Sequence, residues 1–535
     1  MNDLIHKLSI KNDEIIAKIY IYLRKNLLLI CILLTVACAA YGFELFNLNI
    51  TIDQELAAVQ NGAPIGRLQM GRWGMYFLNK FLFPFTVIPF VPLIVALIFQ
   101  IAAILLIIHI FKIEGKLEQI IIGVIGISYP GLVYIYSFYD VNYGIGIGYF
   151  LIALSLYLYA YNIGFKKYWA VIPAVFAISI YQPFIPVLIS IYLLYIIYYL
   201  GKDRFRTLKS LINISIIIIS ATILYYAIQE LLLILYGVIN SGYVEHFFDI
   251  GYLINNPISV LHRLSVLTYY VYSGDLTIYG IQVRGIGIIL FVLALGILFN
   301  AVRSNMKLLN KAFLLVLLTI FMLMPFIGGI LTKGEIPLRS LLGIPIILSG
   351  WALLGLTNHS SIYKSLVALL TVLCVFQFVS SSNHLFAASH LALEEDRLLG
   401  SRIIEKIGDA QSKSNSGNIH YLEMVGYLER PSTLLIPQID TVGASFFGWD
   451  EGESYRALDF LQTLGYYGLE PLPLDQRYSV VEFANSMANW PNPGSVKVTG
   501  DIVVVKFGPY SKIQISEICL SEKNRTQLQG LNFCP

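Results

Sequence analysis

The sequence predicts a polytopic α-helical membrane protein: about eleven transmembrane helices, followed by a small α/β domain. Three observations predict it. Only 13% of the 535 residues are charged while 57% are hydrophobic, whereas a soluble domain is nearer 25% charged. Apolar runs of roughly 17–25 residues, long enough to cross a bilayer, recur along the first 383 residues. The composition then changes: residues 1–383 hold 24 Lys+Arg against 15 Asp+Glu, a net +9, and residues 384–535 hold 12 against 18, a net −6. Two solvents are implied.

The chain divides accordingly into 1–26, 27–383 and 384–535. Residues 1–25 are polar with Leu4, Ile5, Leu8, Ile15, Ile16 and Ile19 at helical spacing, which predicts an amphipathic helix on the membrane surface. The charged stretch is too long for a signal peptide, and no small-residue cleavage site follows it. Spans are expected near 27–46, 84–111, 119–137, 144–162, 168–181, 184–200, 211–236, 285–302, 312–331, 340–357 and 365–383. The fifth is short and turns at Tyr181-Gln182-Pro183, so that pair also fits a re-entrant element. Ile145-Gly146-Ile147-Gly148 opens a span and reads as small residues for close helix packing.

Orientation follows from the short loops. With the N-terminus inside, the inner side carries 17 Lys/Arg and the outer side 7, so the N-terminus is cytoplasmic. Eleven spans then leave residues 384–535 outside, with the polar outer loops. The first, Thr51 to Gly74, holds Asp53, Glu55, Arg67 and Arg72. Charges crowded beside lipid are costly and mark a functional site. The others are Phe138–Tyr143, the aromatic stretch 237–284 (Tyr243, His246, Phe247, Tyr269, Tyr270, Tyr272), and Thr332–Arg339 with Lys333. Trp73–Phe83 reads as a short interfacial helix, after which Pro84, Pro89 and Pro92 bend the chain into the next span. Glu44 and Glu230 lie near outer span ends, as structural or cavity-lining groups.

In the exported region, Leu391–Gly408 and Tyr455–Leu464 have helical spacing. Asn418–Gly426 and Val496–Phe507 read as strands, the second turning at Thr499-Gly500-Asp501. Cys31, Cys38 and Cys374 fall in apolar spans and read as core thiols. Cys519 and Cys534 are candidates for a disulfide. No metal-ligand spacing, nucleotide-binding loop or basic-aromatic patch for nucleic acid occurs, so no metal or other cofactor is expected.

The ordered set of outer motifs resembles the phage-type serotype-converting O-antigen glucosyltransferases, polytopic enzymes of the GT-C class. It comprises Asp53-x-Glu55 after the first span, Gly71-Arg72-Trp73-Gly74 before the second, Tyr139-Asp140-Val141-Asn142-Tyr143, Ser179-Ile180-Tyr181-Gln182, and the basic loop with Lys333 and Arg339. The resemblance covers about residues 30–350. It implies a multi-pass protein of the bacterial inner membrane, with residues 384–535 periplasmic. It also implies transfer of a hexosyl group, glucosyl by analogy, from a polyprenyl-phosphate sugar to O-antigen or another surface polysaccharide.

That reaction needs a carboxylate to take the acceptor hydroxyl's proton and cations to receive the leaving phosphate. Asp53 is the preferred base and Glu55 the alternative. Arg67, Arg72, Lys333 and Arg339 are the phosphate candidates, with Arg72 first. Tyr139, Asp140, Tyr181 and Gln182 are expected to bind sugar hydroxyls, and Trp449, in Phe446-Phe447-Gly448-Trp449-Asp450-Glu451, to stack on sugar. The same charges would suit a flippase for a lipid-linked glycan, or a surface-glycan polymerase. Neither is favoured: no internal repeat appears, and the polar clusters lie on one side.

Overall fold

In the computed structural model the described residues are 16–535 apart from 19, 60–64, 84–86, 201–203, 243–246, 277–279, 305, 358, 414–418, 432, 434, 437–439, 529–532 and 535, with the side chains of 204–208 also left aside. Among them, eight helices are long and apolar enough to cross a membrane, as a polytopic membrane protein requires. They are Leu27–Phe46, Val91–Ile110, Lys116–Tyr136, Asn142–Tyr161, Lys209–Tyr236, Gly285–Arg303, Leu308–Ile330 and Ser361–Lys413. Two shorter apolar helices, Phe184–Tyr199 and Ile344–Leu356, pack among them. Val171–Ile180 has ten residues, about 15 Å of rise against the ~30 Å hydrocarbon core. The turn expected at 181–183 separates it from the Phe184–Tyr199 helix.

Outward-facing Ile219, Ile223, Ile234, Phe291, Val372 and Phe376 give the bundle an apolar exterior, suited to lipid. Its interior closes through small residues. A Cβ on Gly146 would lie 2.1 Å from the Ala96 carbonyl oxygen, and one on Gly148 2.2 Å from the Phe184 ring. The glycine pair therefore lets the Asn142–Tyr161 helix meet two neighbours closely, as its spacing predicts.

Several expectations are corrected. Cys31 and Cys38 are exposed on the Leu27–Phe46 helix, and only Cys374 is buried; an apolar span has a lipid-facing side as well as a core side. The second span begins at Val91 rather than 84: Phe90 has φ 68° and Pro92 sits in the first turn, where a proline costs no hydrogen bond. The stretch 237–284 is not simply a loop, since it contains the helices Ile250–Asn255 and Pro257–Ser273. Tyr243 and His246 lie outside the described residues, as do Pro84 and most of the expected N-terminal surface helix; residues 16–18 and 20–25 are helical. Trp73–Phe81 forms the short helix foreseen there. Glu44 is buried and accepts from Asn49 Nδ2 at 2.8 Å, while Glu230 is exposed.

The Ser361–Lys413 helix runs 53 residues without a break, about 80 Å at 1.5 Å per residue. Some 20 residues suffice to span a bilayer, so more than half its length projects beyond. The compositional boundary at 383/384 therefore falls inside one helix. Val367, Phe378 and Leu385 pack in the bundle core, and Leu393, Ile403 and Ile407 in a second core beyond it.

That second core covers one face of a four-stranded sheet. Its strands are β3 (Tyr421–Val425), β4 (Glu470–Pro471), β5 (Val496–Thr499) and β6 (Ile502–Lys506), after the two-residue pair β1 (Asp275–Leu276) and β2 (Ile281–Gln282). The order is β4-β3-β6-β5, with β3 parallel to both β4 and β6 and β5 antiparallel to β6. Val498 faces Val503 and Thr499 faces Ile502 across the expected tight turn. The Ser454–Thr463 helix packs on the sheet through Ala457, Leu458, Phe460 and Leu461. Cys519 and Cys534 are disulfide-bonded.

Candidate active site

The loop after the Leu27–Phe46 helix belongs to both cores at once. Ile52 is buried among residues of the second core, beside Ile403 and Phe446. Gln54 closes the turn: its backbone N–H donates to Thr51 O at 3.0 Å, and its side-chain oxygen accepts from Thr51 N at 3.1 Å. Asp53, between them, has φ 75°, a left-handed conformation that Asp tolerates better than most residues. Its neighbours' burial leaves its own side chain 55% exposed, while Glu55, in the first turn of the Glu55–Val59 helix, is 2% exposed. The two carboxylates thus differ in access, one facing outward and one enclosed.

Arg456 joins them. From the Ser454–Thr463 helix its guanidinium donates to Glu55, to Asp53 at 3.2 Å and to Asp450 at 3.1 Å. Three carboxylates around one buried guanidinium keep it charged and raise its pKa against the cost of burial. Burial pushes the Glu55 carboxyl up to about 7 even though Arg456 pulls it down. Asp396, on the long helix, anchors the stretch leading to Asp450: it accepts from Ser445 Oγ at 2.7 Å, Phe446 N at 2.8 Å and Arg430 at 2.7 Å.

Asp440 lies near enough for the Asp53 charge to bear on it, and it holds Arg339 at 2.9 Å. Burial raises the Asp440 carboxyl, and Arg339 opposes that shift. Asp53, Asp440, Asp450 and Glu451 all have positive φ, as do Phe90, Lys112 and Lys333 elsewhere in the chain. Such backbone outliers gather at functional sites, where the surroundings enforce them.

Six of the other predicted residues, Arg67, Tyr139, Asp140, Arg72, Tyr181 and Gln182, fall into two further groups. Arg67 pairs with Asp140, and Tyr139 bridges Asn47 O at 3.1 Å and Asn49 N at 3.2 Å, four residues before Asp53. Arg72 lies over the Tyr181 ring at 4.9 Å, and Gln182 Nε2 donates to Met70 O at 2.7 Å. Tyr225 Oη donates to Gly71 O at 2.8 Å and Gln229 Nε2 to Leu68 O at 2.8 Å. The Gly71-Arg72-Trp73-Gly74 element therefore packs directly against Ser179-Ile180-Tyr181-Gln182. Trp73 stands edge-on to Phe176 at 5.6 Å, and a Cβ on Gly74 would lie 2.2 Å from Ser179 Oγ.

Lys333 is apart from these, held by Asp249 at 3.2 Å beside the Arg263–Glu335 pair. A backbone N–H from Tyr252, together with Lys333, keeps the Asp249 carboxyl low. The four cations thus engage four different partners. Trp449 is half-buried against the second core; Phe446 and Phe447 are inside it, with Phe446 stacked on Phe460 at 4.3 Å.

Arg456, Asp440 and Asp396 escaped the sequence reading. Each is a single charge in a segment of soluble composition, where an exposed position is the ordinary expectation. No group of His, Cys, Asp and Glu able to hold a metal occurs among the described residues.

The family model for glucosyl transferase GtrII matches residues 42–356, more than half of the chain. The chain belongs to this family. The resemblance read from the motifs holds, and GtrII membership makes the protein a glycosyltransferase of glucosyl type, with a sugar donor and an acceptor as substrates. The GtrII match spans the acid pair, the Gly71–Gly74 element, Asp140, Gln182 and Arg339; Arg456, Asp450 and Asp440 lie beyond it. No curated protein and no solved structure is significantly similar to the chain.

Proposed function

We propose that the protein transfers a hexosyl group, glucosyl by family, from a polyprenyl-phosphate sugar to a surface polysaccharide such as O-antigen. The reaction takes place at the periplasmic face of the bacterial inner membrane, with the N-terminus cytoplasmic and residues 384–535 forming a periplasmic α/β domain. The observation that carries this reading is the exposed Asp53 carboxylate held beside buried Glu55 by Arg456.

In the proposed step the acceptor hydroxyl attacks the anomeric carbon as Asp53 takes its proton. The carbon–oxygen bond to the lipid phosphate breaks, and polyprenyl phosphate leaves with the bonding electrons. One carboxylate serves a single displacement, so the anomeric configuration inverts. Arg456 fixes the acid pair, and buried Glu55 supports it without reaching substrate. Arg72, with Arg67 and Arg339, supplies positive charge for the departing phosphate, which gains charge as the bond breaks. Lys333, on the outer rim, meets lipid headgroups. Tyr139, Asp140, Tyr181 and Gln182 line the sugar side, and Trp449 meets the incoming polymer.

Purified full-length protein with synthetic polyprenyl-phosphate glucose and acceptor polysaccharide should yield glucosylated polymer, with the new linkage opposite in configuration to the donor by NMR. Glucosylation from a nucleotide sugar instead, or a retained configuration, would refute this reading.

A further inference from the structure

The loop between the Lys116–Tyr136 and Asn142–Tyr161 helices faces the Trp73–Phe81 helix. Asn79 Nδ2 donates to Asp140 O at 3.2 Å, Asn142 Nδ2 donates to Tyr136 O at 3.1 Å, and Arg67 holds Asp140 Oδ2. Tyr143 is close enough for the charges of both Asp140 and Arg67 to act on its hydroxyl, and its ring stands against Phe83 at 4.5 Å. Asn79, Ser137, Asp140, Asn142 and Tyr143 are each between 0% and 3% exposed.

Each of the five nevertheless keeps one buried polar atom without a hydrogen-bond partner among the described residues: Asn79 Oδ1, Ser137 Oγ, Asp140 Oδ1, Asn142 Oδ1 and Tyr143 Oη. A single orphaned atom is unremarkable in a large protein. Five around one ion pair, on this loop, the first turn of the Asn142–Tyr161 helix and the facing Trp73–Phe81 helix, are not, because each costs the fold its desolvation.

We propose that these five side chains form the pocket for the hexosyl ring of the donor. The proposal rests on the transfer reaction above and names the residues that select its sugar. Three of the orphaned atoms are acceptor oxygens and two are hydroxyls. Sugar hydroxyls, each donor and acceptor, match that set. A phosphate does not, because three oxygen acceptors repel it. An isoprenoid chain does not, because it satisfies none of them. A site enclosed in the helical bundle suits a single sugar ring rather than a polymer, which points to the donor rather than the acceptor. Arg67, paired with Asp140, places a cation beside the pocket. The surround is closely packed: a Cβ on Gly144 would lie 2.5 Å from Met75 Sδ and 3.0 Å from Ile180 Cγ2.

The test separates binding from folding. Full-length wild type, Tyr143→Phe and Ser137→Ala are compared in nanodiscs for affinity to polyprenyl-phosphate glucose, polyprenyl phosphate and acceptor oligosaccharide, and for ligand-free melting temperature. Wild type should bind the glucosyl lipid more tightly than the bare lipid phosphate. Each variant should reduce that sugar-dependent preference roughly three- to tenfold, the worth of one hydrogen bond, with lipid-phosphate affinity unchanged. Ligand-free melting should stay level or rise, because the deleted hydroxyl has no partner in the fold.

A variant that keeps the full sugar preference overturns the pocket while leaving the transferase reading intact. So does one that melts lower with the preference unchanged, which would mean the hydroxyl serves the fold, for instance through a buried water. Loss confined to acceptor oligosaccharide would move the pocket to the acceptor. A wild type that neither prefers the glucosyl lipid nor transfers from it would overturn the reaction and the pocket together.

Discussion

Arg456 donates to Glu55 across 401 residues of sequence. The pair ties the helix on the sheet to the loop after the first span, and both side chains are almost fully enclosed. Removing one partner of a buried ion pair strands the other charge. Arg456→Ala is therefore expected to lower stability by about 3–5 kcal/mol. Replacing both, Arg456→Met with Glu55→Leu, should recover most of that loss because no enclosed charge remains. Turnover should stay low in both variants, since Asp53 loses its brace. Thermal melts beside a transfer assay give the comparison, and a double variant with normal turnover would show the bridge to be structural only.

Gly71 combines φ +78° with a tight surround: an added Cβ would lie 2.5 Å from Tyr225 Oη and 2.9 Å from Gln182 Nε2. Gly71→Ala should break both hydrogen bonds to this turn and displace Arg72, with loss of activity and a lower melting temperature. Gly408, inside the long helix, has nothing within 4 Å of its would-be Cβ. Gly408→Ala should be neutral or stabilising by up to about 1 kcal/mol.

The carboxyls of Glu55, Glu423 and Glu453 are each pushed by burial from the ordinary 4.5 to about 7. Arg456 opposes the rise at Glu55, and Arg477 and Ser454 oppose it at Glu423. At Glu453 the neighbouring Glu517 adds to it. A raised folded pKa means the folded state binds more protons than the unfolded one between about 4.5 and 7. The stability these groups contribute is then full below about pH 4.5 and lost as pH rises through about 7. Melting temperature should fall between pH 5 and 8, and Glu423→Gln should flatten that fall. An unchanged slope in the variant would show that Glu423 does not carry its share.

The helical bundle and part of the candidate site are legible because membrane spans and motif order are strong signals. Apolar run length picks out the eight helices long enough to cross a membrane, and Gly71-Arg72-Trp73-Gly74 and Ser179-Ile180-Tyr181-Gln182 stand as separate motifs in the sequence that the fold brings together. Arg456, Asp440 and Asp396 were not legible, because a lone charge in a soluble-looking segment shows no pattern until its long-range partner is known. The Pro257–Ser273 helix was hidden by its mixed polarity, and Cys31 and Cys38 by the two-sidedness of a lipid-facing helix. The continuous Ser361–Lys413 helix looks like two pieces in the sequence because composition changes along it while backbone conformation does not.

Asp53 as the base is the claim on which the mechanism turns, and single-turnover transfer from polyprenyl-phosphate glucose by Asp53→Asn tests it most directly. The side chain is exposed and its replacement nearly isosteric, so folding and donor affinity should be retained. The rate of sugar transfer should drop about 10²–10⁴-fold, the usual worth of a general base. Glu55→Gln, which leaves Asp53 in place, should cost less. Transfer by Asp53→Asn within tenfold of wild type, with Glu55→Gln inactive, would contradict the account and assign the base to Glu55.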